Sequence, residues 1–233
     1  MAVSESTARQ YALQDPDVRL MLRVRDDDAA AFDELMLRYQ NRLVTVLEHL
    51  VNRRDQAEDL AQEVFLRVFR ARKRYVPGAK FSTWLFTIAN HVASNSIRDQ
   101  SRRPEINLRP NESGPLGSSP LERMAQAASG MMPTRQLDKA ELRDMVRSAM
   151  EGLNQRQRMA VLLSKFEEMS YADIATTMEM SVQAVKSLLT RARLNLRDAL
   201  QPYLDRGERP SESTVSSSST NYSHDDQPSD VEP

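Results

Sequence analysis

Between residues 104 and 136 the chain carries five prolines (Pro104, Pro110, Pro115, Pro120, Pro133) and three glycines (Gly114, Gly117, Gly130). Proline removes a backbone donor and pushes the residue before it out of the helical region, so no long regular element survives this density. On either side of the segment apolar residues recur at helical spacing. The segment therefore reads as a flexible linker between two helical blocks, with room for a short helix around residues 121–128 at most. Glycine is scarce, six in 233 residues, and helix formers dominate. The expected fold class is all-α: two small helical domains joined by a flexible linker, with a disordered C-terminal tail.

Residues 1–16 read as a flexible N-terminal extension closed by Asp15-Pro16. The first helical domain is expected over 17–103. Phe32, Leu35, Met36, Tyr39, Leu43, Val46, Leu47 and Leu50 mark one helix by their spacing. Asp55 reads as the N-cap of the next, with Glu58 completing an acidic capping box and Leu60, Ala61, Val64, Phe65 and Val68 as its buried stripe. After the Pro77-Gly78 turn a third helix begins near Ser82 and buries Leu85, Ile88, Ala89, Val92, Ala93 and Ile97, with Pro104 as its stop. The linker spans 104–136 and the second helical domain 137–204. The tail, 205–233, is acidic and rich in serine, including the run Ser216 to Ser219. It holds too little apolar surface to order itself.

The net charge of −1 hides a polar distribution. From Arg67 to Arg103 nine basic residues face a single acid, Asp99, and this stretch contains Phe81, Phe86 and the only tryptophan, Trp84. Basic side chains answer phosphate charge and aromatic faces answer unstacked bases, so the stretch suits a separated nucleic-acid strand. The plainer reading is a solvated basic face beside ordinary core aromatics.

Other chemistries find no support. The absence of cysteine excludes disulfides and thiolate chemistry and fits a reducing compartment. No apolar run approaches the ~18 residues that span a bilayer, and Met1 to Gln14 lacks the apolar core of a signal peptide. A cytoplasmic location is expected. His49, His91 and His224 lack metal-ligand spacing. No Ser or acid is tied to a His by motif, and no glycine-rich phosphate loop exists. The chain does not read as an enzyme: no catalytic residue, metal or cofactor is expected.

In the second domain Ser170 reads as the cap of a short helix and Ser181 as the cap of a longer one. Ile174, Ala175, Met178, Met180, Val185 and Leu188 fall at the inner positions of a helix-turn-helix, with the small Ala175 where the helices cross. Gln183, Lys186, Ser187, Thr190 and Arg191 then face outward, able to reach base edges and phosphates in a major groove, and Arg193 and Arg197 continue the basic face. Glu179 holds the turn position that favours glycine, which predicts a left-handed residue or a different turn. A plain helical hairpin within a bundle is the competing reading.

Together these residues resemble a bacterial RNA polymerase sigma factor of the extracytoplasmic-function (ECF) group. The carrying motifs are Ala31-Phe-Asp-Glu-Leu35 with Tyr39, Ala57-Glu-Asp-Leu-Ala-Gln-Glu-Val-Phe65, Phe81-Ser-Thr-Trp-Leu-Phe-Thr-Ile-Ala-Asn90, Tyr171-Ala-Asp-Ile-Ala175, Val185-Lys-Ser and Arg191-Ala-Arg193. The resemblance implies that 17–103 is a region-2-like bundle and 137–204 a region-4-like helix-turn-helix. It implies a DNA-binding factor that directs core polymerase to specific promoters and assists promoter melting and transcription initiation. Asp59, Gln62 and Glu63 would meet the clamp helices of the largest polymerase subunit, and the polymerase flap is a further expected contact. Tyr75, Lys80, Trp84, Asn90, His91, Asn95, Arg98, Arg102 and Arg103 would open and hold the −10 element, capturing a flipped base of the melted non-template strand, with Asn90 and His91 both open as its reader. Gln183, Lys186, Ser187, Thr190, Arg191 and Arg193 would read the −35 duplex. An anti-sigma factor is a further partner, and the tail is a candidate regulatory segment. A conventional regulator binding duplex DNA without polymerase is the runner-up, and a polymerase-binding module that contacts no DNA a third reading.

Overall fold

The computed structural model describes residues 5–102 and 139–206. The linker expected over 104–136, its short helix near 121–128 and nearly all of the tail lie outside these residues. Among the described residues every regular element is helical. In order they are α1 (Glu5–Gln14), α2 (Pro16–Arg25), α3 (Ala29–Val51), α4 (Arg54–Ala71), a 3₁₀ turn (Arg72–Arg74), α5 (Phe81–Arg102), α6 (Lys139–Glu151), α7 (Gln155–Lys165), α8 (Tyr171–Thr177) and α9 (Val182–Arg206).

Two local expectations change. Residues 5–14 are helical where a flexible extension was expected. Tyr11 and Ala12 pack against the core, and the Asp15 N–H donates to the Tyr11 carbonyl at 2.9 Å. Tertiary burial supplies what local propensity lacks there. The second change is the start of α4. Its N-cap is Arg53, which has an extended backbone and makes no side-chain cap. Asp55 falls inside the first turn, where its carboxylate takes the Arg53 guanidinium instead.

Asp15 organises the first domain. Its Oδ1 accepts from the Asp17 N–H at 2.9 Å and caps α2, while its Oδ2 accepts from the Phe81 N–H at 2.9 Å and so holds the start of α5. One carboxylate thus answers orphan donors of two helices far apart in sequence. Asp28 caps α3 through the Ala31 N–H, and Asn52, at φ 58°, ends it in the left-handed region. The core between α2, α3, α4 and α5 is filled by Met21, Leu35, Leu43, Leu47, Phe81, Leu85 and Phe86, all essentially inaccessible.

The second domain is built on a capping box at the start of α7. Asn154 accepts from the Gln157 N–H at 2.9 Å, and the Gln157 side chain accepts from the Asn154 N–H at 3.2 Å. Met159, Leu162, Leu163, Ile174, Val185 and Ala192 form its interior. The two domains pack together, α8 against α5 and α6 and α7 against α3. Arg158 of α7 reaches the end of α3, donating to the His49 carbonyl at 3.0 Å and the Asn52 side-chain oxygen at 3.2 Å. Phe166 stacks on His49 with ring centres 6.1 Å apart.

Candidate nucleic-acid and polymerase interfaces

The helix-turn-helix forms from α8 and α9. Ser170 accepts from the Asp173 N–H at 3.1 Å, and Ser181 accepts from the Ala184 N–H at 3.1 Å, so both serines cap as their positions suggested. Ala175 is buried at the crossing, and Ile174 and Val185 are fully inaccessible. The turn between the helices carries Glu179 at φ 53°. This is the left-handed residue that the sequence raised as one of two possibilities.

Gln183, Lys186, Ser187, Thr190, Arg191 and Arg193 are all exposed along α9. The Arg193 guanidinium donates to the Tyr171 hydroxyl at 3.1 Å and draws that phenol below its ordinary pKa. Among the described residues no carboxylate pairs with Lys186 or Arg191. The face therefore offers uncompensated positive charge of the kind that neutralises phosphate.

The expected −10 residues separate into three groups. Lys80, Trp84, His91, Asn95, Arg98 and Arg102 recur at spacings of three, four and seven, so they share one stripe of α5. All but Trp84 are exposed, and Trp84 is half-buried against Tyr75 and Phe81 at ring distances of 4.8 and 6.1 Å. Asn90 is half-buried and lies on the adjacent stripe with Thr83, Thr87 and Ser94. Tyr75 does not join a surface: it is 4% exposed, and its hydroxyl has no partner among the described residues. Burial raises its pKa. The residue works as packing beneath Trp84. Arg103 lies outside the described residues.

Asp59 and Gln62 are exposed and Glu63 is half-buried on α4. Glu63 pairs with Arg67 at 2.7 Å, and the hydrogen bond holds its carboxyl below the ordinary range. Leu66 and Phe69 follow on the same face at 49% and 41% exposure; Leu66 had no expected role, and Phe69, expected to pack in the core, is partly exposed. Their signal was weak, since Phe69 also touches Phe32 at 5.2 Å and Arg72 lies over its ring.

Polar contacts between the domains were equally invisible in the sequence. Thr83 donates to Asp173 Oδ1 at 3.2 Å, Lys80 pairs with Asp173 Oδ2 at 3.5 Å, and Gln155 donates to Ser94 Oγ at 3.0 Å. His91 Nε2 lies 3.1 Å from Glu179 Oε1. Farther along α3, Arg42 pairs with Glu167, whose carboxylate is almost entirely covered. Burial pushes the Glu167 carboxyl above its ordinary pKa against the opposing pull of Arg42. Burial also acts most strongly on Asp173, upward, but Ser170, Lys80 and Thr83 together bring it below the ordinary value. Among the described residues no cluster of metal-ligating side chains occurs, and no helix is long and apolar enough to cross a membrane.

A capped helix-turn-helix with an exposed basic second helix, carried beside a second helical domain, places the chain in the class of helix-turn-helix DNA-binding proteins. Residues 35–103 match the family model described as Sigma-70 region 2, and residues 143–196 match Sigma-70, region 4. The RNA polymerase sigma-H factor of Pseudomonas aeruginosa is 33% identical over 193 residues, covering 82% of this chain and 97% of that protein. The ECF RNA polymerase sigma-E factor of Escherichia coli K12 is 30% identical over 190 residues, with coverage of 82% and 97%. In fold, the chain resembles the sigma factor RpoE of Bartonella quintana, solved in complex with the anti-sigma factor NepR. The TM-score is 0.51 at 24% identity, over 75% of this chain and 98% of that one. The chain belongs to the sigma-70 family as an ECF-type RNA polymerase sigma factor. It directs RNA polymerase to promoters and is not an enzyme.

Proposed function

We propose that the factor works as a dissociable specificity subunit of the cytoplasm with a division of labour between its helices. The face of α4 with Asp59, Gln62, Glu63 and Leu66 docks on the clamp helices of core polymerase, and the helix-turn-helix unit lies near the flap. Lys186, Thr190 and Arg191 enter the major groove at −35, with Gln183, Ser187 and Arg193 beside them. The α5 stripe from Lys80 to Arg102 tracks the melted non-template strand at −10, and Asn90 or His91 takes the flipped base. The protein captures strands and leaves the chemistry to the polymerase. Unstacking costs a few kcal/mol per step and is offset by strand capture. An anti-sigma factor that covers both domains is a natural regulator, by analogy with the partner of the Bartonella protein. The domains follow as 17–103 and 137–204.

One observation carries this assignment. Lys186, Arg191 and Arg193, basic side chains of the α9 face that pair with no carboxylate among the described residues, sit on the exposed side of a properly capped second helix. Arg191→Ala should weaken recruitment of the reconstituted holoenzyme to a −35-containing duplex by roughly 1–3 kcal/mol, about ten- to a hundredfold, if the guanidinium makes a bidentate base contact. Footprinting on matched and −35-scrambled promoters checks it. An equal loss on both would reduce Arg191 to a phosphate contact, and no loss on either would remove it from the interface.

A further inference from the structure

We propose that the chain's own acidic tail, residues 207–233, docks on the duplex-reading face of α9 and competes there with promoter DNA. This rests on the assignment of that face to the −35 element. From Val182 to Arg197 the helix carries Lys186, Arg191, Arg193 and Arg197 and no acid. All four are exposed, and among the described residues only Arg197 has a carboxylate beside it, that of Asp198 at 3.1 Å. Positive charge gathered on one face without counter-charge of its own attracts anionic groups of any source. Leu194 follows Ser187 by seven positions and Thr190 by four, so it lies on the same face, and it is 43% exposed. It offers a polypeptide an apolar contact that a phosphate does not make.

The tail supplies the complement. Residues 207–233 hold six acids (Glu208, Glu212, Asp225, Asp226, Asp230, Glu232) against one base, Arg209, with Val215 and Tyr222 as apolar residues among them. The helix α9 runs to Arg206, so the tail leaves from the helix it covers. Lys186 lies 20 residues back along that helix, about 30 Å at the helical rise. Asp225 lies 19 residues beyond Arg206, a length that can span about 60 Å. The acids therefore reach the whole basic face with chain to spare. Tethering makes the encounter intramolecular, so surface ion pairs too weak to hold a separate peptide still count. Duplex needs the uncovered face, and apparent affinity falls by the uncovered fraction, equally for matched and unmatched sequences.

The chain has no cysteine, so Ser223→Cys takes a single spin label on the full chain. Nuclear magnetic resonance should show the amides of residues 183–197 broadened by the label, and those of α4 and of the α5 stripe unaffected. Raising salt from about 0.1 M to about 1 M should abolish the broadening, as the screening length falls from about 10 Å to about 3 Å. Deleting residues 207–233 should tighten binding of the free factor to a −35-containing duplex by about three- to tenfold at the lower salt, the scale of a few surface ion pairs. Fluorescence anisotropy of labelled duplex reads it. The full chain with Asp225→Asn, Asp226→Asn, Asp230→Asn and Glu232→Gln should recover most of that gain and lose the broadening. Broadening on α5, or on neither helix, overturns the proposal. So does tighter binding without broadening on α9, which is charge repulsion without docking. These failures leave the −35 assignment standing on the Arg191→Ala footprint. Broadening on α9 with no loss of −35 binding in Arg191→Ala overturns that assignment, and the competition with it.

Discussion

At the scale of single residues, environment decides what each side chain is for. Tyr75 and Trp84 neighbour each other in space, yet Tyr75 is packing and Trp84 keeps one side open. An aromatic beside basic residues looks like a contact in any sequence. Only the fold distinguishes the one beneath from the one above. The left-handed turn at Glu179 was legible, because few residues fit a tight helix-turn-helix corner. Its target, His91, was not, since nothing local encodes a contact 88 positions away. His49 is the clearest hidden case. Burial lowers its pKa from 6.5 to about 4, with Arg147 and Arg158 adding repulsion. The folded value is depressed, so the stability it contributes is full above pH 6.5 and is lost as pH falls toward 4. Linkage over that shift gives about 2 kcal/mol lost between pH 7 and pH 5. Denaturant titrations should show the native protein losing about that much more than His49→Gln over the same interval. Parallel pH profiles would show that the imidazole is free to protonate in the folded protein.

At the scale of helices, periodicity carried most of what could be read. The stripes of α3, α4 and α5 bury most of the apolar residues the spacing picked out and leave Phe32, Met36, Leu60, Ile88 and Ile97 partly covered at the core's edge. The serine caps of the helix-turn-helix are in place, and its small residue sits at the crossing. Helix ends fared less well at α4, where Asp55 bonds to Arg53 instead of capping. The helix α1 was missed because its order comes from packing on the core rather than from its own pattern. The face of α4 shows the limit of reading charge alone. The resemblance pointed to Asp59 and Gln62, but Leu66, half-exposed beside them, would give the proposed docking surface its apolar centre. Leu66→Asp should cost at least tenfold in affinity for core polymerase and leave thermal stability within about 0.5 kcal/mol, as for a surface substitution. Titration of labelled factor with core enzyme measures the first and thermal melting the second. Unchanged affinity would move the docking surface off this face.

At the scale of the whole molecule, two domains that the sequence separates by a proline-rich segment lie against each other. The division into two helical units and the family were legible from motifs in order along the chain. Their packing was not, because it depends on pairs such as Arg42 with Glu167 and Arg158 with Asn52 that are distant in sequence and unremarkable alone. The proposed division of labour has this chain open promoters through α5 when bound to core polymerase. The most direct test measures open-complex formation by reconstituted holoenzyme on a closed duplex promoter and on the same promoter with a pre-melted −10 bubble, for the native chain and for Asn90→Ala. Opening should require both chain and polymerase, and Asn90→Ala should slow it on closed duplex by about tenfold or more while the bubble template is affected much less. Equal impairment on the two templates, or opening that proceeds without the chain, would contradict it.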